Sequence, residues 1–318
     1  MAARVGGDHF VAPGRARAII CPALTALTIT ADDAGQRVDR FLRKILPAAS
    51  LSHIFAALRR GEVRLGGARV EGSYRLQCGD VLAIGGGLAA VPRRDVAADP
   101  APSSLPSNLV VVLRDEDLLV VDKPAGLAMH PGTGVHDHLL DRVHRLLGAS
   151  RGHSFRVAPA HRLDRDTSGL VVFGVSARGL RGFTAALRDH AVRKTYLARV
   201  HGSPPPRGEI DLSLARHDAS VGPKMHVDPG GATALTRYRV VSTAAQRALL
   251  EVELATGRTH QIRAHFAAIG HPLVGDHRYG RADGARRLCL HAWRLEFAHP
   301  ISRDALCLVA TPPPELRA

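Results

Sequence analysis

An α+β architecture is predicted: a mixed, largely antiparallel central sheet with flanking helices, preceded by a small α/β unit. Three observations predict it. Apolar runs at strand spacing follow one another from about residue 109, with few helical patterns between them to make parallel crossovers. Clear i, i+3, i+4, i+7 helical spacing is concentrated before residue 60. A stretch rich in Pro, Ala and Ser lies between the two regions. With 318 residues, 45% of them hydrophobic and 23% charged, the chain is long enough for two domains and a large core.

Taken in order, residues 1–25 read as a tail. Its apolar run Ala18–Ile29 follows Arg15 and Arg17, but Pro22 and the interspersed threonines speak against a signal peptide. A small domain is expected over residues 26–91. Val38, Phe41, Leu42 and Ile45 form one helical stripe, and Leu51, Ile54, Phe55 and Leu58 form a second, with Ser50 as its N-cap. Val63–Leu65, a Gly66-Gly67 turn, Ala68–Val70 and Val81–Ile84 read as short strands. The polar sides carry Arg37, Arg40, Arg59, Arg60 and Arg64. These are candidate RNA contacts, although an ordinary solvated basic face has the same pattern. Residues 92–108, with Pro92, Pro100, Pro102 and Pro106, read as a semi-extended linker. The larger domain is expected over 109–318. In it Leu109–Leu113 and Leu118–Val121 flank a charged turn, Leu170–Phe173 is a buried strand, and residues 178–190 are amphipathic. Lys194–Val200, Ala234–Val241, Ala248–Leu254, Leu288–Phe297 and Ala305–Val309 read as strands. Thr259 is placed to cap a helix that carries Ile262, Phe266 and Ile269 and ends at Gly270.

The net charge of +14 and a pI near 10.8 fit a polyanionic partner, most simply nucleic acid. Aromatic residues make up only 4% of the chain, too few for an extended base-stacking platform. Cys21, Cys78, Cys289 and Cys307 are scattered without C-x-x-C spacing, which suits a reducing cytoplasm rather than a zinc knuckle or disulfide framework. No run approaches the ~18 apolar residues of a membrane span, so no membrane association is expected. Metal-ligand spacing, a P-loop and a G-x-G-x-x-G fingerprint are all lacking, so neither a metal site nor a cofactor is expected.

The chemistry concentrates in residues 161–169, His-Arg-Leu-Asp-Arg-Asp-Thr-Ser-Gly. Asp164 lies between Arg162 and Arg165, ahead of a tight turn and a buried strand, and adjacent cations favour its charged form. Such an acid is a nucleophile, a general base or a metal ligand. The same residues also suit a surface ion pair that caps a turn. Further along stands Gly-Arg-Thr-His-Gln-Ile-Arg-Ala-His at 257–265, with Tyr196 in Arg-Lys-Thr-Tyr-Leu-Ala at 193–198. Val-Asp-Lys-Pro-Ala-Gly at 121–126 and Leu-His-Ala at 290–292 complete the set.

In kind and order these motifs resemble the RluA-type family of RNA pseudouridine synthases, from about Leu109 to Pro300. Gln36–Leu42 and Gly79–Val81 are similar to the ends of an S-four type (alpha-L) RNA-binding domain. The resemblance implies a mixed central sheet crossed by an active cleft, and isomerisation of uridine in RNA without a cofactor. It also implies roles. Asp164 is the catalytic residue, acting at the sugar C1′, at the base C6 or by a glycal route, with Arg258 as its counter-ion. Tyr196 stacks on the target uracil. Arg162 fills the gap left by an extruded base or contacts phosphate. From their own places in the sequence, Lys123 at a strand end, Arg165 and Arg263 are candidate substrate-binding residues. Large-subunit ribosomal RNA is the expected substrate, because the appended module is usual in ribosomal-RNA members; transfer RNA is the alternative. The protein is expected to act as a monomer in the cytoplasm. Two other readings compete. Asp164-Arg165-Asp166 suggests a magnesium-dependent phosphotransferase of the haloacid dehalogenase kind, but that motif wants an apolar strand immediately before its aspartate. A non-catalytic RNA-binding or ribosome-assembly factor accounts for the charge but not for Asp164, Tyr196 and Arg258 together.

Overall fold

The computed structural model describes residues 25–93, 109–132, 137–148, 152–219 and 222–317. The expected tail and most of the expected linker lie outside them. The chain divides into two compact units, and the short segment Ile29–Gly35 belongs to the larger although its sequence neighbours on both sides belong to the smaller.

The smaller unit comprises β1 (Thr25–Thr28), α1 (Val38–Ile45), α2 (Leu51–Arg60), β2 (Val63–Leu65), β3 (Ala68–Arg69), β4 (Val81–Ile84) and α3 (Gly86–Ala89). Its four strands run antiparallel in the order β1-β4-β2-β3. Val38, Phe41, Leu42 and Ile45 of α1 are buried together with Ile54, Ala57 and Leu58 of α2. Ser50 accepts the His53 N–H at 3.2 Å to start α2, and Gly61 at φ 72° ends it. Phe55, expected in the apolar stripe, is instead exposed. Among the basic residues, Arg37 pairs with Asp39, Arg60 pairs with Glu62, and Arg64 donates to the Gly61 and Gly67 carbonyls. Arg40 and Arg59 are exposed.

The larger unit contains β5 (Val110–Arg114), β6 (Leu118–Lys123), α4 (Leu139–Leu147), β7 (Ala158–Pro159), β8 (Ser168–Gly174), α5 (Ala177–Arg188), β9 (Arg193–His201) and β10 (Arg207–Asp211). Then come β11 (Leu214–Ala219), β12 (Gly222–Val227), β13 (Leu235–Ala244), β14 (Arg247–Leu254), α6 (Gln261–Ala268), β15 (Leu290–Ala298) and β16 (Ala305–Val309). Ten strands form one sheet with the path β10-β13-β14-β9-β15-β8-β6-β5, with β16 added to β15 and β7 to β8. The β8–β15 pair is parallel and the other pairs antiparallel, so the α+β class with a mixed, mostly antiparallel sheet is borne out. No helix among the described residues is long and apolar enough to cross a membrane.

Every residue of β8 is buried, which is why it reads as an unbroken apolar run. Successive side chains of a strand point to opposite faces. Leu119, Val121, Val171 and Phe173 accordingly enter one core, while Leu118, Val120, Leu170 and Val172 enter another that contains Phe183 of α5. Register then positions the chemistry. Tyr196 pairs with Ala292, Ala292 with Gly169, and Gly169 with Lys123. One row across four strands therefore brings Tyr196 and Lys123 to the end of the sheet where the Asp164 turn enters β8.

Gly169 explains part of the Thr-Ser-Gly signature. Its φ is +114°, and an added Cβ would lie 2.3 Å from the Ala292 carbonyl oxygen on the parallel neighbour. Only glycine avoids both problems. Gly169→Ala is expected to cost more than about 3 kcal/mol in urea denaturation; a loss under about 1 kcal/mol would mean that the strands separate there without penalty.

Candidate active site

Asp164 is carried by the turn before β8, where the Thr167 N–H bonds back to the Asp164 carbonyl at 3.2 Å. Its carboxylate faces α6. Arg263 Nη1 donates to Asp164 Oδ2 at 3.1 Å, while Nε and Nη2 grip both oxygens of Asp276 at 2.8 and 2.9 Å. Asp276 is 1% and Arg263 7% exposed, so this is a buried, forked ion pair with one donor spared for Asp164. Burial works against the Asp276 charge, but hydrogen bonds and charge from Arg263 and the N–H groups of Tyr279 and Arg278 outweigh it, holding the carboxyl below its ordinary range. Burial also opposes the Arg263 charge, and its carboxylate partners raise the guanidinium above its ordinary value.

The start of α6 is fixed by a fully satisfied amide. Gln261 donates to the Leu235 carbonyl and Thr236 Oγ1, and accepts from Thr256 Oγ1 and the Arg258 N–H. His265 lies between Thr236 Oγ1 and the Leu212 carbonyl. It is a structural group. The N-cap of the helix is His260, not the expected Thr259, and His260 adopts left-handed φ 52°, ψ 20°. That conformation is rare for a residue other than glycine and concentrates at functional sites. His260 Nδ1 shares a hydrogen bond with the Tyr279 hydroxyl at 2.9 Å, and that hydroxyl also accepts from the Met225 N–H. His260 Nε2 then stands 3.7 Å from Asp164 Oδ2. Burial holds the imidazole below its ordinary pKa despite the charge of Asp164.

Tyr196 is 8% exposed and belongs to the main core, yet its ring forms part of the cleft wall. Burial, then the negative charge of Asp164, raises its phenol pKa. The cleft has a volume of about 280 Å³ and brings together Asp164, Tyr196, Arg162, Lys194, Arg258 and Arg263. It opens beside a groove of about 890 Å³ lined by Arg162, Arg165, Arg278, Arg286 and Arg287.

Two expectations need correction. Arg258 lines the cleft but is exposed and donates through Nε to the Thr233 carbonyl. The counter-ion of Asp164 is Arg263, because one helical turn into α6 carries that side chain inward while Arg258 is still in the loop. Lys123 does not reach out to substrate. It is fully buried, and its Nζ donates to the carbonyls of Pro124 (2.9 Å), Leu127 (2.8 Å) and Arg165 (2.8 Å). Burial pulls its pKa down to about 8. Lys123 thus fastens the Asp164 turn to the end of β6. Lys123→Met is expected to cost about 2–4 kcal/mol through the unpaired carbonyls without changing the salt dependence of RNA affinity; a flattened salt dependence would return Lys123 to the phosphate contacts. Arg165 pairs with Asp166 rather than Asp164, and Arg162 is exposed at the rim.

Sequence alone assigns no role to His260, Asp276, Tyr279 or Lys194. Lys194 had a signal, lying two residues before Tyr196 on one strand face. Asp276 had none, since only the fold brings it to Arg263.

The family model described as RNA pseudouridylate synthase matches residues 117–268. A ribosomal large subunit pseudouridine synthase C from Vibrio cholerae is 35% identical over 295 residues, covering 88% of this chain and 90% of that protein. Its Escherichia coli K12 namesake is 34% identical over 302 residues, covering 91% and 93%. Among solved structures, human RNA Pseudouridylate Synthase Domain Containing 1 aligns with TM-score 0.53 at 26% identity, over 65% of this chain and 84% of that one.

Proposed function

This chain belongs to the RNA pseudouridylate synthase family, and from that premise we propose that it isomerises a uridine of large-subunit ribosomal RNA in the Asp164 cleft. The names of the Vibrio cholerae and Escherichia coli relatives support that substrate over transfer RNA. The observation that carries the reading is Asp164 held by Arg263 in one cleft with the Tyr196 ring. A phosphotransferase or a non-catalytic assembly factor has no use for that arrangement.

The reaction breaks N1–C1′ and rebuilds the nucleotide through C5; nothing is oxidised and nothing is hydrolysed overall. The target base must first leave its stack, at a cost of a few kcal/mol. Arg162, exposed at the rim, fills the vacated place or holds a phosphate. Tyr196 stacks on the uracil, and Asp164 acts at C1′, at C6 or on the 2′ proton. Arg165 contributes positive charge along the adjoining groove, toward the RNA backbone. Arg258 guards the cleft edge.

The smaller unit acts as an RNA-binding module of the S-four type, and the whole works as a cytoplasmic monomer. Its exposed Arg40 and Arg59 are the residues best suited to phosphate. Because Ile29–Gly35 belongs to the larger unit, point substitutions test this better than removal of residues 1–92. Arg40→Ala with Arg59→Ala is expected to shrink the slope of log affinity against log salt by about 2; an unchanged slope would assign the unit a structural role. The reading as a whole is tested by mapping pseudouridine in ribosomal RNA from a strain lacking this protein. A site missing from large-subunit RNA is expected, and an unchanged map would defeat the proposal.

A further inference from the structure

Four cationic side chains line the cleft: Arg162, Lys194, Arg258 and Arg263. Arg263 is committed to Asp276 and Asp164, Arg258 holds a backbone carbonyl, and Arg162 is exposed. Lys194 differs from all three. It is half-buried, and among the described residues no carboxylate or carbonyl engages its Nζ. Burial alone pulls the ammonium below its ordinary pKa, with no opposing charge to restore it. A half-buried cation without an anion is costly unless something charged is to arrive.

Lys194 precedes Tyr196 by two residues on β9, so ammonium and ring enter the cleft from the same strand face. Its Nζ lies beside Gly257, where an added Cβ would stand 3.6 Å away in ordinary contact. The neighbouring His161 offers no counter-charge. Burial, then Lys194 itself, brings its imidazole pKa down to about 4.

We propose that Lys194 is a catalytic residue whose ammonium stabilises the negative charge uracil carries once its glycosidic bond has broken; this rests on the reading of the cleft as a uridine isomerase. When N1–C1′ breaks, the bonding pair stays on the base. C1′ is taken by an Asp164 oxygen, or C2′ gives up its proton to that oxygen. In both cases uracil remains as a monoanion, with charge shared over N1, O2 and O4. Its C5 then adds to C1′, the carboxylate oxygen leaves with its pair or the 2′ proton returns, and the C5 proton is replaced by one at N1. Arg263 is poorly placed to balance that anion, because Asp276 still takes up its single charge through Nε and Nη2 after Asp164 has been esterified or protonated. The Tyr196 phenol stays protonated and supplies a ring rather than a charge. Lys194 supplies the cleft with a half-buried positive charge that no carboxylate has taken up.

The test compares wild type, Lys194→Met and Lys194→Arg under single-turnover conditions, with RNA affinity across salt and thermal midpoint measured in parallel. Lys194→Met is expected to lose about 10²–10³-fold in rate, with affinity, salt slope and midpoint unchanged, and Lys194→Arg to recover part of the loss. Wild type is also expected to bind 5-nitrouracil, an anion at neutral pH, more tightly than uracil, and Lys194→Met to lose that preference. An unchanged rate in Lys194→Met overturns the inference. So does a weaker, less salt-dependent RNA affinity, which makes Lys194 a phosphate contact. A wild type indifferent to the charge of the free base overturns it even if the variants do not fold. A wild type that forms no pseudouridine in ribosomal RNA fails the parent reading instead.

Discussion

Asp164→Asn is expected to bind RNA within about twofold of wild type and to lose at least about 10³-fold in pseudouridine formation. The substitution is isosteric, and the amide oxygen still offers Arg263 Nη1 an acceptor at the position where Asp164 Oδ2 stands 3.1 Å away. The fold and the cleft wall therefore persist. What disappears is the negative charge, and with it the ability to act as nucleophile or base on any of the three routes. RNA affinity rests mainly on phosphate contacts to cations, so removing one acid from a groove lined by arginines leaves binding intact. The measurements are nucleoside analysis of the product and a filter-binding isotherm. Retained product would remove Asp164 from the mechanism.

Arg263→Met carries the second large effect because it strikes stability and activity together. It strands the Asp276 carboxylate, which is 1% exposed, and breaking one side of a buried pair costs about 3–5 kcal/mol. It also frees the Asp164 side chain to rotate, for which a turnover loss of at least about 10²-fold is expected. Arg263→Lys keeps the charge but not the fork, so it falls between. Arg258→Ala, by contrast, should cost less than about 0.5 kcal/mol in stability. The pH dependence separates the two arginines further. With Arg263 present, the Asp276 carboxyl sits below the ordinary 3.8, so its stabilisation is present above that pH and lost as pH falls through the folded value. Without Arg263, only the Tyr279 and Arg278 N–H groups oppose burial, so that pKa is expected to rise above its ordinary value and stability to increase as pH falls toward 4. Urea denaturation at pH 7 and pH 4.5 reads the sign. A variant that destabilises equally at both would show that Asp276 has found another partner.

Much of the fold was legible because its strands obey simple periodicity. β8 reads as an apolar run because both its faces are covered, β13 alternates buried Thr236 and Tyr238 with exposed Arg237 and Arg239, and β14 carries the buried run Ala248–Leu250. The expected hairpin of β5 and β6 is present in antiparallel register. α4 was missed although Leu139, Val143 and Leu147 share a face, because His138, rather than a Ser, Thr, Asp or Asn, caps it through Nδ1. The β11–β12 pair was missed as well; Arg216, His217, Asp218, Lys224 and His226 interrupt its apolar residues, and it stands outside the main sheet.

The sequence by itself determined the candidate chemistry: an acid among arginines, a tyrosine on a strand, and an arginine-bearing helix, in that order along the chain. Those are local facts, carried by residue type and spacing. Tertiary structure decided which cation touches the acid and which lysine lines the cleft. Arg258 and Arg263 are five residues apart and chemically identical, and only the left-handed turn at His260 and the distant Asp276 send the second one inward. Lys123 and Lys194 look alike in sequence too. One is captured by three carbonyls under the Asp164 turn and the other is left open to the cleft, because ion pairing and burial depend on groups that the chain brings together from far apart.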